Sequence, residues 1–389
     1  MRCVSADGKT YTSAYNTTGL SITYIAAPTL KSVSAAAKSG VVVTWSAVDG
    51  ASNYRVYRKT SGGSWSKLAD TTSTSYTDTT ASTGTKYAYT VRCISADAKT
   101  VLSAAPTGVS ITYCATPKVT SVKNADNYQG AIIKWNAVSG AENYRVFRKE
   151  SGGSWKAIAT TTGTNLTDAT GLSGVTYYYT VRCFSSDGKT ATSGFDNTGV
   201  SIEYVGPYTS QYESGDARCM RLWGDTKYHT YSTQAEAEAD MTQITVKTWD
   251  FKSGKSGAKY TRTWTISVHK GVAASVEKIF EEIYNGDEKF PIHTLGGYDW
   301  RGENSSSEHC LGLAIDINYD ENPMAYCEYD DDGNRVLTEI LVGTAYEPGV
   351  NPYSIPADGD VVNAFAKYGF EWGDWGGKVD YMHFSYFGT

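Results

Sequence analysis

The sequence predicts two kinds of fold in one chain: all-β sandwich repeats, then an α+β domain. Three observations predict it. Residues 53–65, NYRVYRKTSGGSW, return 90 positions later as NYRVFRKESGGSW at 143–155. The charge changes sign at one point, with 20 Lys+Arg against 12 Asp+Glu over 1–204 and 15 against 29 over 205–389. Beyond that point the apolar spacing changes from strand-like to helix-like in two segments, and all five histidines of the chain lie there.

The repeat is visible throughout the first half. Trp45 recurs as Trp135, and Arg92-Cys93 as Arg182-Cys183 and as Arg2-Cys3. Two complete copies are expected over 25–113 and 114–204, with 1–24 matching only the tail of a third. GVVVTW, NYRVYRK, KYAYTVRC and GVSITY are β-rich runs between Gly/Ser/Thr/Asp turns. About seven short strands in some 90 residues predict a two-sheet sandwich. Cys3, Cys93 and Cys183 share one position, which suits a small buried hydrophobe. Trp45 and Trp135, Tyr54 and Tyr144, and the Tyr-x-Tyr-Thr-Val-Arg run at 87–92, returning as 177–182, resemble the fibronectin type III repeats of bacterial surface proteins. The resemblance implies a fold and no chemistry. Two strands alone cannot bury a core, so 1–24 is expected to be the end of a domain whose remainder, with the export signal, lies upstream. The repeats are expected to act as a spacer, or to hold anionic wall polymers through their basic surface.

The whole chain has 389 residues with 40% hydrophobic and 20% charged, which suits folded domains rather than extended disorder. No apolar run reaches the roughly 20 residues of a membrane span. The seven cysteines form no tight pair and indicate no disulfide framework; a single Cys310–Cys327 bond is left open.

Residues 205–217 read as a linker and 218–389 as the α+β domain. SVEKIFEEIYNG (275–286) has helical spacing, with Gly286 as its stop. DGDVVNAFAKYG (358–369) is a second helix, with Asp358 or Asp360 as N-cap and Gly369 as C′. LGLAIDINY (311–319) and DYMHFSYF (380–387) read as strands.

Two histidines sit in unusual surroundings, Ser307-x-His309-x-x-Gly312-x-Ala314-x-Asp316 and Asp380-x-x-His383. Catalytic zinc takes three protein ligands drawn from His and carboxylate and leaves one position open. Asp316 lies among Leu313, Ala314, Ile315 and Ile317, where a carboxylate is costly unless it meets a cation. On a regular strand, Tyr381, His383 and Ser385 share one face, and Met382, Phe384 and Tyr386 the other. Asp380 and His383 can share a site only if the chain bends before the strand, at Gly376-Gly377. Asp380 is then the carboxylate that takes a proton from the attacking water.

These residues resemble the zinc peptidases that cut peptidoglycan stem peptides, a group of D-alanyl-D-alanine carboxypeptidases, related dipeptidases and L-alanyl-D-glutamate endopeptidases. Ser307–Asp316 carries one motif, Trp372–Phe384 a Trp-Gly turn followed by acid-x-x-His-Phe, and Gly296-Gly297-Tyr298-x-x-Arg301 a third. The resemblance implies Zn2+ on His309, Asp316 and His383, with Asp380 as base and Arg301 holding the scissile carbonyl or oxyanion. Ser307, Tyr298, Trp372 and Trp375 are the implied substrate-side residues, the tryptophans chiefly as site wall and Ser307 through a hydrogen bond. Ser385 departs from the acid that members often carry there. The implied substrate is a peptidoglycan stem peptide, and the implied location is secreted or wall-associated. A wall-binding or adhesive zinc protein that does not cut is the alternative, since the fold also serves hedgehog-type signalling domains.

Other features point elsewhere. His229, His269 and His293 lie outside the motifs and read as structural. EYDDDGNRVLTE (328–339) nearly fits a calcium loop, yet reads better as an acidic hairpin tip. No glycine-rich phosphate loop precedes a helix, and the acidic second half argues against nucleic acid.

Overall fold

The computed structural model describes residues 2–15, 17–19 and 22–388. Met1, Asn16, Leu20 and Ser21 of the expected partial repeat, and Thr389 at the other end, lie outside the described residues.

The first sandwich comprises β1 (Leu30–Ala35), β2 (Val41–Trp45), β3 (Asn53–Thr60), β4 (Ser66–Thr71), β5 (Ser75–Asp78), β6 (Thr85–Ile94) and β7 (Val109–Tyr113). Its sheets are ordered β1-β2-β5 and β4-β3-β6-β7. The second comprises β8 (Val119–Asn124), β9 (Ala131–Trp135), β10 (Asn143–Glu150), β11 (Lys156–Thr161), β12 (Asn165–Asp168), β13 (Thr176–Phe184) and β14 (Val200–Glu203). Its sheets, β12-β9-β8 and β11-β10-β13-β14, repeat the same arrangement of three strands on four.

Alternation explains each core. Val41, Val43 and Trp45 are buried, with Val42 and Thr44 only partly so, which is the period of a strand with one face inward. Trp45 meets Tyr54 edge-on at 5.6 Å, and Trp135 meets Tyr144 at the same distance. Each sandwich also buries one acid. Asp78 is held by Arg58 at 2.6 Å and the Tyr89 hydroxyl at 2.7 Å, and Asp168 by Arg148 at 2.7 Å and Tyr179 at 2.9 Å. Much of the repeats' arginine is therefore spent inside the fold. Cys93 and Cys183 are fully buried, as expected, but Cys3 is exposed. Among the described residues around it there is an isolated Val4–Tyr11 bridge and no second sheet to cover the thiol.

The 205–217 segment, expected as a linker, is packed. Thr209 and Ser210 are fully buried. The Thr209 amide donates to Ser275 Oγ at 2.9 Å, and Ser210 Oγ donates to the Ser173 carbonyl at 2.5 Å. Helix α1 (Gly215–Trp223) starts on Ser214, whose hydroxyl accepts from the Ala217 amide. From α1, Arg221 reaches Glu213 at 2.5 Å, Ser173 Oγ at 2.8 Å and the Gly206 carbonyl at 3.1 Å. Its guanidinium also lies 4.3 Å from the centre of the Tyr128 ring. Ser173 and Tyr128 belong to the second sandwich, so a buried ion pair joins the two units.

The C-terminal unit adds α2 (Gln234–Asp240), β15 (Met241–Phe251), β16 (Lys259–His269) and α3 (Ala273–Asn285). Then come β17 (Leu295–Gly296), β18 (Ala314–Ile317), β19 (Met324–Tyr329), β20 (Arg335–Val342), α4 (Asp360–Lys367), β21 (Glu371–Asp374) and β22 (Lys378–Ser385). β15 and β16 form a long hairpin, and the last six strands one sheet in the order β17-β18-β22-β19-β20, with β21 on β22. α3 buries Val276, Ile279, Phe280 and Ile283 against the hairpin and α4, the stripe its spacing predicts.

Details of the helix ends differ from expectation. α4 is capped by Gly359, and Asp360 instead accepts a hydrogen bond from the Glu288 amide. Gly369 takes the left-handed conformation (φ 82°) expected of it. Gly286 ends α3 as expected, as its C-cap, but with φ −66° rather than a left-handed conformation; a side chain there would collide with the Asp360 carboxylate. The 328–339 segment is a hairpin tip, as expected, closed by Asp330–Asn334 hydrogen bonds.

Candidate metal centre and its cavity

Adjacent antiparallel strands build the centre. Asp316 on β18 is the direct cross-strand partner of His383 on β22 and, on its other side, of Gly296 on β17. His309 enters from the turn before β18. That turn closes through Gly312, whose amide donates to the His309 carbonyl at 3.1 Å. Gly312 has φ +65°, and a side chain there would meet Met241 Sδ and the His269 backbone nitrogen. Glycine is therefore required for both conformation and space.

Three donor atoms converge. His309 Nε2 lies 3.1 Å from Asp316 Oδ2 and 3.2 Å from His383 Nδ1, and His383 Nδ1 lies 3.1 Å from Asp316 Oδ1. All the ligand atoms of the set fall within 4.8 Å of one another. The Gly297 carbonyl lies 2.8 Å from His309 Nδ1. A carbonyl can only accept, so Nδ1 carries the proton, and in the neutral ring Nε2 presents its lone pair to the cluster. Burial alone would raise the Asp316 carboxyl, but without a metal the His309 and His383 rings, when protonated, donate to it and hold it well below the usual carboxylate range. Two imidazole nitrogens and an ionised carboxylate aimed at one point make a donor set that fits zinc.

Asp380 lines the same cavity, by a route the sequence did not suggest. On β21, Trp372 pairs with Phe384 and the next residue, Gly373, with Asp380. One step on β21 thus spans four on β22, and β22 bulges over 381–383. The bulge brings Asp380 and His383 to one side; the bend lies inside the strand rather than at Gly376-Gly377. It also turns Met382 into the cavity beside His383, although strict alternation assigned them opposite faces. Burial pushes the Asp380 carboxyl up to about 6, partly offset by the His383 charge. Its Oδ1 is buried with no hydrogen-bond partner among the described residues.

The cavity, of about 750 Å³, is lined by Arg301, Ser307, His309, Asp316, Trp375, Asp380 and His383 among the expected residues. Arg301 is at the rim, half exposed and 3.3 Å from Asp299. Ser307 lines the cavity, and among the described residues its hydroxyl makes no hydrogen bond to the His–Asp–His set. Trp375 stands edge-on to His383 at 5.8 Å.

Two expected substrate residues are elsewhere. Tyr298 packs against the main core, with its hydroxyl buried. The reason is backbone anchoring: its amide donates to the Ser267 carbonyl at 2.8 Å and turns the ring inward. Trp372 is held between Tyr381 and Phe384, and its Nε1 donates to the Tyr381 carbonyl at 2.8 Å. It packs beside the bulge and is not among the residues that line the cavity.

Other lining residues were not anticipated: Tyr228, Glu308, Met324, Val342, Met382 and Phe387. Glu308 is almost fully buried, and its carboxylate accepts the Phe387 amide at 2.9 and 3.1 Å. An acid directly before a candidate ligand was the signal available for it.

Residues 301–386 match the family model described as D-alanyl-D-alanine carboxypeptidase. A poly(3-hydroxybutyrate) depolymerase of Delftia acidovorans is 32% identical over 136 residues, covering 35% of this chain and 27% of that protein. The chain therefore spans about a quarter of the length of that curated relative. An Fn3-like protein from Clostridium thermocellum is 36% identical, with 22% of this chain and 88% of that one covered and a TM-score of 0.18. A two-domain fibronectin type III segment from chicken tenascin is 18% identical, with 46% and 99% covered and a TM-score of 0.23.

Proposed function

We propose that the C-terminal unit is a zinc metallopeptidase that hydrolyses peptidoglycan stem peptides. At the family level, the match over 301–386 supports a peptidoglycan-acting peptidase. The observation that carries the finer reading is the unpartnered Asp380 Oδ1 in the cavity that also holds the His309–Asp316–His383 set. A purely structural or binding site has no use for a buried carboxylate left without a partner.

His309, Asp316 and His383 would hold the zinc, which when bound supplies Lewis acidity and activates water. Asp380, ionised above about pH 6, takes the proton from the attacking water and passes it to the leaving amine. Arg301 swings from Asp299 to oppose the negative charge that develops on the scissile carbonyl. Trp375, Met382 and Phe387 wall the cavity and keep bulk water from the reacting centre.

In this reading the chain is a partial fibronectin type III-like repeat (1–24), two complete ones (25–113 and 114–204), a packed joint (205–217) and the peptidase (218–389). The protein works outside the cell on the wall. Contact of the repeats with anionic polymers falls to their lysines, since many of their arginines are engaged within the fold. The deciding experiment incubates zinc-loaded protein with purified peptidoglycan and identifies the released fragments by mass spectrometry. Free D-alanine identifies a carboxypeptidase; stem peptides beginning at D-glutamate identify an endopeptidase. No release from several wall types, with zinc bound, refutes the peptidase reading in favour of a wall-binding protein.

A further inference from the structure

The cavity does not end at Val342. Asp380, Met324 and Val342 are successive cross-strand partners on β22, β19 and β20, and all three line the cavity. Two residues along on β22 and β19, and three along on β20 where a bulge intervenes, the next row is Lys378, Tyr326 and Glu339. All three are exposed, Tyr326 by 48%. The opposite face of these strands is closed, with Ala325, Cys327, Val379 and Tyr381 in a small core. The hairpin is thus anchored from behind and presents its front as a continuation of the cavity floor.

This front row has no structural task that accounts for it. Among the described residues Lys378 makes no ion pair, and Tyr326 makes no ring contact or side-chain hydrogen bond. Lys378 lies close enough to Asp380 for its charge to pull the carboxyl's pKa down against burial. Strand rise places it about 7 Å from Asp380 along β22, which is about two residues of an extended peptide. Arg301, the other cation at the cavity, is already beside Asp299.

We propose that Lys378 and Tyr326 form a substrate subsite, in which Lys378 pairs with a free carboxylate within two residues of the scissile bond and Tyr326 supports the extended peptide. The occupant follows from two observations: the row is continuous with the cavity, and its unpaired cation stands in a unit with 15 Lys+Arg against 29 Asp+Glu. The inference rests on the peptidase reading and adds the charge class of the substrate to it.

The test uses two peptides that differ only in whether that carboxylate is free or amidated. Wild-type protein is expected to favour the free form through KM, with kcat little changed, by about threefold to tenfold. Lys378→Met removes the preference, Lys378→Arg keeps it, and Tyr326→Ala raises KM for both peptides alike. A Lys378→Met protein that retains the full preference overturns the subsite. Failure of the wild-type protein to cut either peptide is a different result and counts against the peptidase itself. In that case calorimetric binding of the same two peptides to the metal-free protein still decides the subsite: equal affinities overturn it, and tighter binding of the free form, lost in Lys378→Met, supports it.

Discussion

Asp316 and His383 face each other as cross-strand partners, with Oδ1 and Nδ1 3.1 Å apart. Sheet hydrogen bonding sets that distance, so the two side chains are placed before any ligand arrives. Only His309 comes from a turn, and the Gly297 carbonyl holds its ring.

Asp316→Asn removes the anionic member of this set while keeping its size. Zinc affinity should fall by more than the ~100-fold that loss of a supporting partner costs a metal site. Competition with a chromophoric chelator measures it. Affinity within about threefold of wild type would remove Asp316 from the metal site.

Asp380→Asn should keep zinc and the fold, while kcat falls by about 10²- to 10⁴-fold, the usual share of a general base. The pH profile of kcat/KM gives an independent readout. Only the ionised base accepts a proton, so activity rises with pH through a midpoint at or below about 6, lower when a bound cation favours the carboxylate further. A flat profile from pH 4 to 7 would contradict the role.

Gly312→Ala forces a side chain onto a residue with φ +65° and against the His269 backbone nitrogen at 2.6 Å. Neither the backbone nor the β16 edge it abuts can move cheaply. A loss of about 1–3 kcal/mol of stability is expected, measured by chemical denaturation.

Arg221→Met strips the cation from a pair in which both side chains are nearly inaccessible. Glu213 then stays buried with the Tyr386 hydroxyl at 2.7 Å as its remaining strong partner. The cost should be about 3–5 kcal/mol. Adding Glu213→Leu should restore much of it. A double variant as unstable as the single would place the damage in packing rather than in the orphaned charge.

The repeats were legible because identical residues 90 positions apart carry the same strands, and alternation at Val41, Val43 and Trp45 shows which face turns in. His309, Gly312 and Asp316 were legible because a turn and one short strand bring them together locally. The bulge over 381–383 was not. It depends on pairing with Trp372 and Gly373, and nothing within β22 itself breaks the alternation. Tyr298 was misplaced for a similar reason: its direction is set by Ser267, on a strand about 30 residues earlier. α1 had visible signals in Ser214 and Gly224, which cap it, but composition made 205–217 read as a tether. Its burial rests on Ser173, Ser275 and Tyr368, partners that only the assembled fold brings near.

The buried Arg221–Glu213 joint sets how the cleft is carried. A head on a slack cord samples a sphere of targets by its own tumbling. Here Glu213 also grips Tyr386, three residues beyond His383 on the same chain segment, so the cleft and the second sandwich turn as one body. The orientation of the cleft therefore follows that of the second sandwich rather than its own tumbling.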